Sequence, residues 1–397
     1  MKILLTHRFF WPDTAPYATF LRAIGEELAE GGHDVHTFSS VNSYRDSDSD
    51  KPSLRYEALG SLNVRRIWVF PSEKSFILKR LANVIIYCVG LFFEVLRLRP
   101  DVVTASTFPP VIAAWTASLA SQMIGARFVY HIQDIHPEIS IYSGGRLGRG
   151  LPMKILRALD NQTLRRSSAI VVLSTDMANT LRDRGLGELP LHVINNLSLD
   201  VSSSQTLGPP AEFRKSEGRR RVIFAGNLGR FQRLPLLANG VSRLFSRYPD
   251  LELCFLGDGT ALPELKANWG GHPQVLFANY MPFEQARLLI EEADVGLVSL
   301  SPGVYKVAYP SKVLTYAGLG IPILALVEPE SELANALKSG GIGAVPAEDT
   351  PTAIASELEF LLNREVEHNV VRNWHDETAG SSQILTRWRE LIDGLGR

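Results

Sequence analysis

The stretch Arg221-Val222-Ile223-Phe224-Ala225-Gly226-Asn227-Leu228-Gly229-Arg230-Phe231-Gln232 decides the fold. Its apolar run, Val222 to Ala225, reads as a buried strand, and Gly226 and Gly229 end it at once. Pro235 then opens a helical pattern through Leu236, Leu237, Val241, Leu244 and Phe245. A strand, a glycine turn and a helix N-terminus make an anion site. Glycine admits close approach, and the helix start offers unpaired N–H groups and the positive end of its dipole. Arg230 and Arg233 are placed to add charge-assisted hydrogen bonds. An ordinary strand-to-helix turn reads the same way, so the meaning of the stretch depends on the rest of the chain.

Upstream of it, strands and helices alternate. Strand patterns fall at 2–6, 34–38, 64–69, 101–105, 127–132 and 169–173, with a helical pattern at 19–30 that stops at Gly31-Gly32. Residues 44–53 read as a polar loop. Downstream, strand patterns recur at 222–225, 251–256, 275–277, 295–299, 321–326 and 342–345. Alternation of this kind predicts parallel sheets covered on both faces. The predicted fold is therefore α/β with two Rossmann-like domains facing each other across a cleft. Residues 1–195 form the first domain, 196–218 a serine- and proline-bearing linker, and 219–375 the second domain. The apolar stripe Ile384, Leu385, Trp388, Leu391 makes 376–397 a C-terminal helix, docked on its own domain or crossing back to the first.

With 397 residues, two domains are also what length predicts. Lysine plus arginine total 41 against 42 acids, a net charge of −1, which excludes a global attraction to nucleic acid. Cys88 and Cys254 sit apart in apolar runs and read as buried thiols of a reducing compartment. The segment from Phe76 to Leu98 is the most apolar, with a core run of about sixteen residues, short of a bilayer span. Arg65, Arg66, Lys74, Lys79, Arg80, Arg97 and Arg99 flank it against Glu73 and Glu94, and Arg146, Arg149, Lys154, Arg157, Arg165 and Arg166 form a second basic stretch against Asp160. Peripheral membrane contact and a buried helix beside solvated charges both fit.

His131-Ile132-Gln133-Asp134-Ile135-His136-Pro137-Glu138 follows a strand, where α/β sheets place their sites. Three readings fit. His131, Asp134, His136 and Glu138 include metal-ligating types, but their spacing matches no strong motif. They also suit polar substrate contacts, or helix capping and backbone hydrogen bonds. The substrate reading is preferred for Asp134 and His131. In the second half, Gly257-Asp258-Gly259 closes a strand, and Asn279-Tyr280-Met281 follows another, where backbone suits a planar base. Pro310-Ser311-Lys312 reads as a helix start with free N–H groups near Lys312 and Val313, and Lys312 adds a mobile positive charge. Two anion-suited turns in one domain fit a diphosphate.

With these motifs in order, the chain resembles the retaining GT-B glycosyltransferases of family 4. It is most similar to the fucosaminyltransferase-like branch of bacterial surface-polysaccharide biosynthesis. The carriers are Phe10-Trp11-Pro12-Asp13, Gly31-Gly32-His33-Asp34-Val35, Gln133 to Glu138, Gly226-Asn227-Leu228-Gly229, Gly257-Asp258-Gly259, Pro310-Ser311-Lys312 and Gly320-Ile321-Pro322. The resemblance implies transfer from a nucleotide-diphosphate sugar, a UDP-sugar preferred, to a polyprenyl-diphosphate-linked or glycan acceptor. It implies no metal, no cofactor and a cytoplasmic enzyme, peripheral on the inner face of the cell membrane. It implies that Arg230 and Lys312 serve the diphosphate, with Asp134 and His131 facing the sugar or acceptor. Gly226, Asn227, Gly229, Arg233, Asp258, Tyr280, Met281, Ser311 and Thr315 would hold the donor, and Asp13, Thr14, His136 and Glu138 the acceptor side. The chain departs from the family where Asn227 and Gln232 replace cations and Val307 and Thr315 replace glutamates. Those departures leave a non-catalytic binding or scaffold subunit, or a nucleotide-sugar epimerase or hydrolase, as alternatives.

Overall fold

Strand β1 (Lys2–Thr6) shows how the first half is built. Its neighbours Ile3, Leu4 and Leu5 are all fully buried, so both faces of the sheet are covered. Leu4 faces one hydrophobic layer, while Ile3 and Leu5 face the other, as the two-residue period of a strand requires. The computed structural model describes residues 1–13, 15–41, 54–70, 77–142, 149–198, 209–229, 232–364 and 366–396. Thr14, Arg230, Phe76, the expected loop at 44–53 and residues 199–208 of the expected linker lie outside them.

The chain divides into two units. Unit 1 comprises Met1–Leu199, Val307–Tyr309 and Ser382–Arg397; unit 2 comprises Asp200–Lys306 and Pro310–Ser381. In unit 1 the strands after β1 are β2 (Asp34–Ser40), β3 (Tyr56–Leu59), β4 (Leu62–Ile67), β5 (Val102–Ser106), β6 (Arg127–His131), β7 (Ala169–Val172) and β8 (Leu191–Val193). They form one sheet in the order β3-β4-β2-β1-β5-β6-β7-β8, parallel except for the β3–β4 hairpin. Its helices are α1 (Pro16–Glu30), α2 (Ile77–Leu98), α3 (Ile112–Ile124), α4 (Ile139–Tyr142), α5 (Gly150–Arg166) and α6 (Thr175–Arg182). Helices α2, α3, α5 and α6 cover one face of the sheet. Alanines 113, 114, 117 and 120 of α3 let its neighbours approach closely. Gly90 does the same for α2, since a methyl group there would meet Ile67 Cδ1 at 2.2 Å.

In unit 2 the strands are β9 (Arg220–Ala225), β10 (Leu251–Leu256), β11 (Val275–Ala278), β12 (Val295–Ser299), β13 (Ile323–Leu326) and β14 (Gly343–Ala344). They form a parallel sheet in the order β11-β10-β9-β12-β13-β14, with the stretch that opened the sequence reading near its middle. The helices are α7 (Leu234–Ser242), α8 (Leu262–Trp269), α9 (Phe283–Glu291), α10 (Lys312–Gly318), α11 (Glu332–Ser339), α12 (Pro351–Asn363), α13 (His368–Ala379) and α14 (Ser381–Leu395). All but the first residue of α14 count to unit 1. There Trp388, 1% exposed, packs with Phe20 and His131, and Arg389 pairs with Glu27 at 2.9 Å. Both units are thus parallel-sheet, Rossmann-like bodies.

Candidate functional site

In unit 2 the site grows from the end of β9. Strand β12 pairs with β9 only at Val222 and Ile223, so the N–H of Ala225 needs another acceptor. Tyr316 supplies it: its phenol accepts from Ala225 N at 2.8 Å and donates to Ile223 O at 3.3 Å. The ring reaches that position because residue 296 is glycine, where a methyl group would meet the ring at 2.5 Å. Lys312 lies one turn before Tyr316 on α10, on the same helix face. Its Nζ therefore sits 4.3 Å from the Phe224 ring centroid and about 4.0 Å from where a methyl group on Gly226 would lie. Burial lowers the Lys312 pKa from 10.5 to about 8. Among the described residues, no hydrogen bond or ion pair reaches this amine.

The glycine turns are interlocked. Leu228 N donates to Asp258 O and Ala261 N to Leu228 O, both at 2.9 Å. A methyl group on Gly257 would stand 2.0 Å from Gly226 O, and one on Gly259 2.4 Å from Leu228 O. These glycines are needed for contact between two backbones, and their φ values of +135° and +159° suit no other residue well. Gly226 and Asn227 are exposed, whereas Gly229 is buried with its N–H donated to Gln232 Oε1 at 3.0 Å. The Asp258 carboxylate accepts from Gly259 N at 2.7 Å. Tyr280 is 44% exposed after β11, and Met281 is buried beside it.

Other expectations for this unit are corrected by the geometry. Arg233 donates to Leu300 O at 2.9 Å and Leu326 O at 3.4 Å and pairs with Asp349, so its guanidinium ties unit 2 together. The N–H of Val313 is not free: it donates to Pro310 O at 3.1 Å, as Leu314 N does to Ser311 O. Ser311 is exposed and its side chain caps nothing, so the helix start contributes Lys312 rather than a row of open N–H groups. Thr315 is half-buried on the same short helix.

In unit 1 the segment after β6 separates into distinct roles. His131 is fully buried, with Nδ1 2.8 Å from the Tyr17 hydroxyl and Nε2 accepting from Gln133 at 2.8 Å. Gln133 is fixed in turn by Asn196. Burial lowers the His131 pKa to about 3, with the His7 charge adding to the effect. His131 is therefore a neutral, fully buried residue with both ring nitrogens occupied by Tyr17 and Gln133, where the sequence expectation had it facing the sugar or acceptor. Glu138 is likewise structural. Arg184 donates to its two oxygens at 3.0 and 2.7 Å, and also to His136 O at 3.0 Å and Asp160 Oδ2 at 2.5 Å. His136 is half-buried and its pKa is lowered to about 4 by burial. Asp13 is buried, and its carboxylate accepts from Ala15 N at 2.9 Å at the entry to α1.

Asp134 differs from these neighbours. Its backbone pairs with Ala308, and Ile135 N donates to Val307 O at 2.8 Å, within unit 1. Its carboxylate is half-buried, accepts no hydrogen bond among the described residues, and has its pKa raised to about 6 by burial. Val307 is 2% exposed and belongs to the unit 1 core. Among the described residues no group of three His, Cys, Asp or Glu is gathered to hold a metal ion. The sequence reading missed Tyr316, although its spacing of four from Lys312 on a helix was visible. It also missed Arg184, whose Asp-Arg-Gly context reads only as a turn.

Two parallel-sheet, Rossmann-like bodies in one chain are the architecture of the GT-B fold, and in unit 2 the sheet ends in interlocked glycine turns beside the Lys312 amine. Its full length superposes on sucrose-phosphate synthase from Thermosynechococcus elongatus (TM-score 0.76, 13% identity, 99% and 98% of the two chains covered). It also superposes on Anabaena HepE solved with UDP (TM-score 0.66, 12% identity, 99% and 100% covered), a protein also crystallised with UDP-glucose. In sequence, the chain is 24% identical over 268 residues to the probable glycosyltransferase WbjE of Pseudomonas aeruginosa, spanning 66% of each chain. Residues 17–196 match the glycosyl transferase 4-like domain. The chain thus carries a family 4-like glycosyltransferase domain on a GT-B fold.

Proposed function

We propose that the protein is a retaining glycosyltransferase of the fucosaminyltransferase-like branch. It moves a hexosyl or N-acetylhexosaminyl group from a UDP-sugar to a polyprenyl-diphosphate-linked or glycan acceptor in bacterial surface-polysaccharide biosynthesis. The observation that carries this reading is the unpaired Lys312 amine over Phe224 and beside Gly226. A preorganised cation stabilises the charge that develops on a departing diphosphate without reorganisation. The exposed Gly226-Asn227 turn offers backbone to the phosphates, and Tyr280 and Met281 flank the place for the base. Arg230 is assigned a second phosphate contact. The half-buried Asp134 carboxylate is assigned to the sugar or acceptor hydroxyl, where its raised pKa suits proton exchange near neutrality. UDP-bound HepE supports the choice of nucleotide. Work on a lipid-linked acceptor places the protein in the cytoplasm, peripheral on the inner face of the membrane, and this chemistry asks for no metal.

Calorimetric titration with UDP, GDP and dTDP tests this. UDP should bind, and Lys312→Ala should weaken it by about 1–3 kcal/mol, the worth of a charged hydrogen bond. Folded protein that binds none of the three nucleotides would overturn the reading. A second reading, a non-catalytic binding subunit, draws on Val307: where the family carries a glutamate, this chain buries valine in the unit 1 core. Sugar transfer from a matched donor to a lipid-linked acceptor would eliminate it.

A further inference from the structure

Helix α2 has the length and apolar composition of a bilayer span, yet its Asn83, Tyr87, Cys88, Leu91, Glu94 and Val95 are buried in unit 1. Its opposite side is the anomaly. Leu81, Ile85, Val89 and Phe93, one residue every four, are each more than half exposed. The apolar surface continues past α2. Trp68 is 55% exposed, and the residue two places on, Phe70, is tied to α2 by two hydrogen bonds with Asn83. Across α3, whose thirteen residues carry no charge, Leu151 and Ile155 of α5 are exposed in turn. Monomeric soluble proteins rarely leave so extended an apolar surface open.

The charges on these helices are sorted by sign. The only acids in α2 and α5 are Glu94 and Asp160, and both are buried against arginines: Glu94 with Arg65 and Arg97, Asp160 with Arg184. The remaining charged side chains of α2 and α5 are all basic, and Arg80, Lys154 and Arg157 are exposed around the apolar stripe. A chain of net charge −1 thus presents an apolar face on which, among the described residues of α2, α3 and α5, every exposed charge is basic. A second copy of the same face would set like charges against each other, whereas an anionic lipid surface satisfies the stripe and its rim together.

We propose that the outer face of α2, α3 and α5 lies in the plane of an anionic lipid surface, with the α2 stripe among the acyl chains and Trp68 at headgroup level. The purpose of such docking, access to a lipid-linked acceptor, rests on the proposed function; its physical chemistry does not. The test is co-sedimentation with vesicles of phosphatidylcholine alone or mixed equally with phosphatidylglycerol. Wild type should bind the mixed vesicles, release in molar salt, and ignore the neutral ones. Ile85→Glu with Val89→Glu, and separately Arg80→Glu with Lys154→Glu, should each lower binding by about tenfold or more. Quenching of wild-type tryptophan fluorescence by brominated phosphatidylglycerol, lost in Trp68→Phe, reads the same contact without a charge variant. Wild type that ignores anionic vesicles overturns the proposal. So does equal binding to neutral ones, or a micromolar dimer abolished by Ile85→Glu. UDP titrations of the same samples separate the failures: nucleotide binding without vesicle binding removes only the docking surface, and the converse removes only the proposed donor.

Discussion

At the scale of single residues, Lys312 shows what burial does to a binding group. Its amine lies against an aromatic face and a glycine turn, and its pKa falls to about 8. Burial favours the neutral form, so in the free protein above pH 8 the amine loses its proton, and a diphosphate would restore it. Binding of UDP at pH 8.5 should therefore take up about 0.7 proton, the difference between a group with pKa near 8 and one returned to the ordinary lysine range. The check is the slope of calorimetric enthalpy against buffer ionisation enthalpy. Lys312→Arg should bind UDP with no such slope, because a guanidinium stays charged. A wild type without buffer dependence would remove Lys312 from the phosphate. The lysine itself was legible in the sequence, since Pro-Ser-Lys before an apolar helix announces its place. The roles of His131 and Glu138 were not. A histidine after a strand looks the same whether it faces a ligand or the core, and here Tyr17 and Trp388, far away in sequence, close over it. Glu138 was misread for a similar reason: its partner Arg184 stands 46 residues on, in a turn with no pattern of its own.

At the scale of elements, long buried strands were the most legible. Strands β10 and β12 run over the residues the apolar pattern marks, because a run buried on both faces and bounded by turn residues has one reading. Strand β3 went unseen because its burial alternates at the sheet edge, with Tyr56 60% exposed, and β8 is only three residues long. The glycine turns were legible as turns, but not as partners: nothing in the sequence says that 226–229 and 257–259 touch. That contact makes a prediction. Gly257→Ala would drive a methyl group to 2.0 Å from Gly226 O at a φ of +135°, so the two turns must part. The expected cost is about 1–3 kcal/mol of strain, seen as a lower melting temperature, together with a loss of UDP affinity. Gly271→Ala, with open space around it and no positive φ, should leave both unchanged. Equal melting of the two variants would show that the turns tolerate separation.

At the scale of the whole molecule, the distribution of protons between folded and unfolded chains sets a pH limit. Three histidines of unit 1 are held neutral by burial, with pKa values near 4 for His7, near 3 for His131 and near 4 for His136. A histidine whose folded pKa is lowered binds less proton when folded than when unfolded. Its stability contribution is present above pH 6.5 and is lost as pH falls from 6.5 toward its folded value. Asp134, raised to about 6 by burial, and Asp160, raised by burial against the pull of Arg184, act in the other direction. They bind more proton when folded and gain stability as pH falls below their folded pKa values. The three histidines, joined by His192, whose pKa desolvation also lowers, outnumber the two aspartates, so between pH 6 and pH 5 the unfolded chain binds more protons than the folded one. Stability should then fall as pH drops through that window. Denaturant titrations at pH 6 and pH 5 measure the difference directly. Replacing His131 with glutamine keeps a hydrogen-bonding side chain but removes the titration, so the slope between those two pH values should flatten in that variant, even if its stability at pH 7 is lower. An unchanged slope would mean that His131 carries its proton in the folded protein, and so is not the dry core residue its contacts with Tyr17, Gln133 and Trp388 make it.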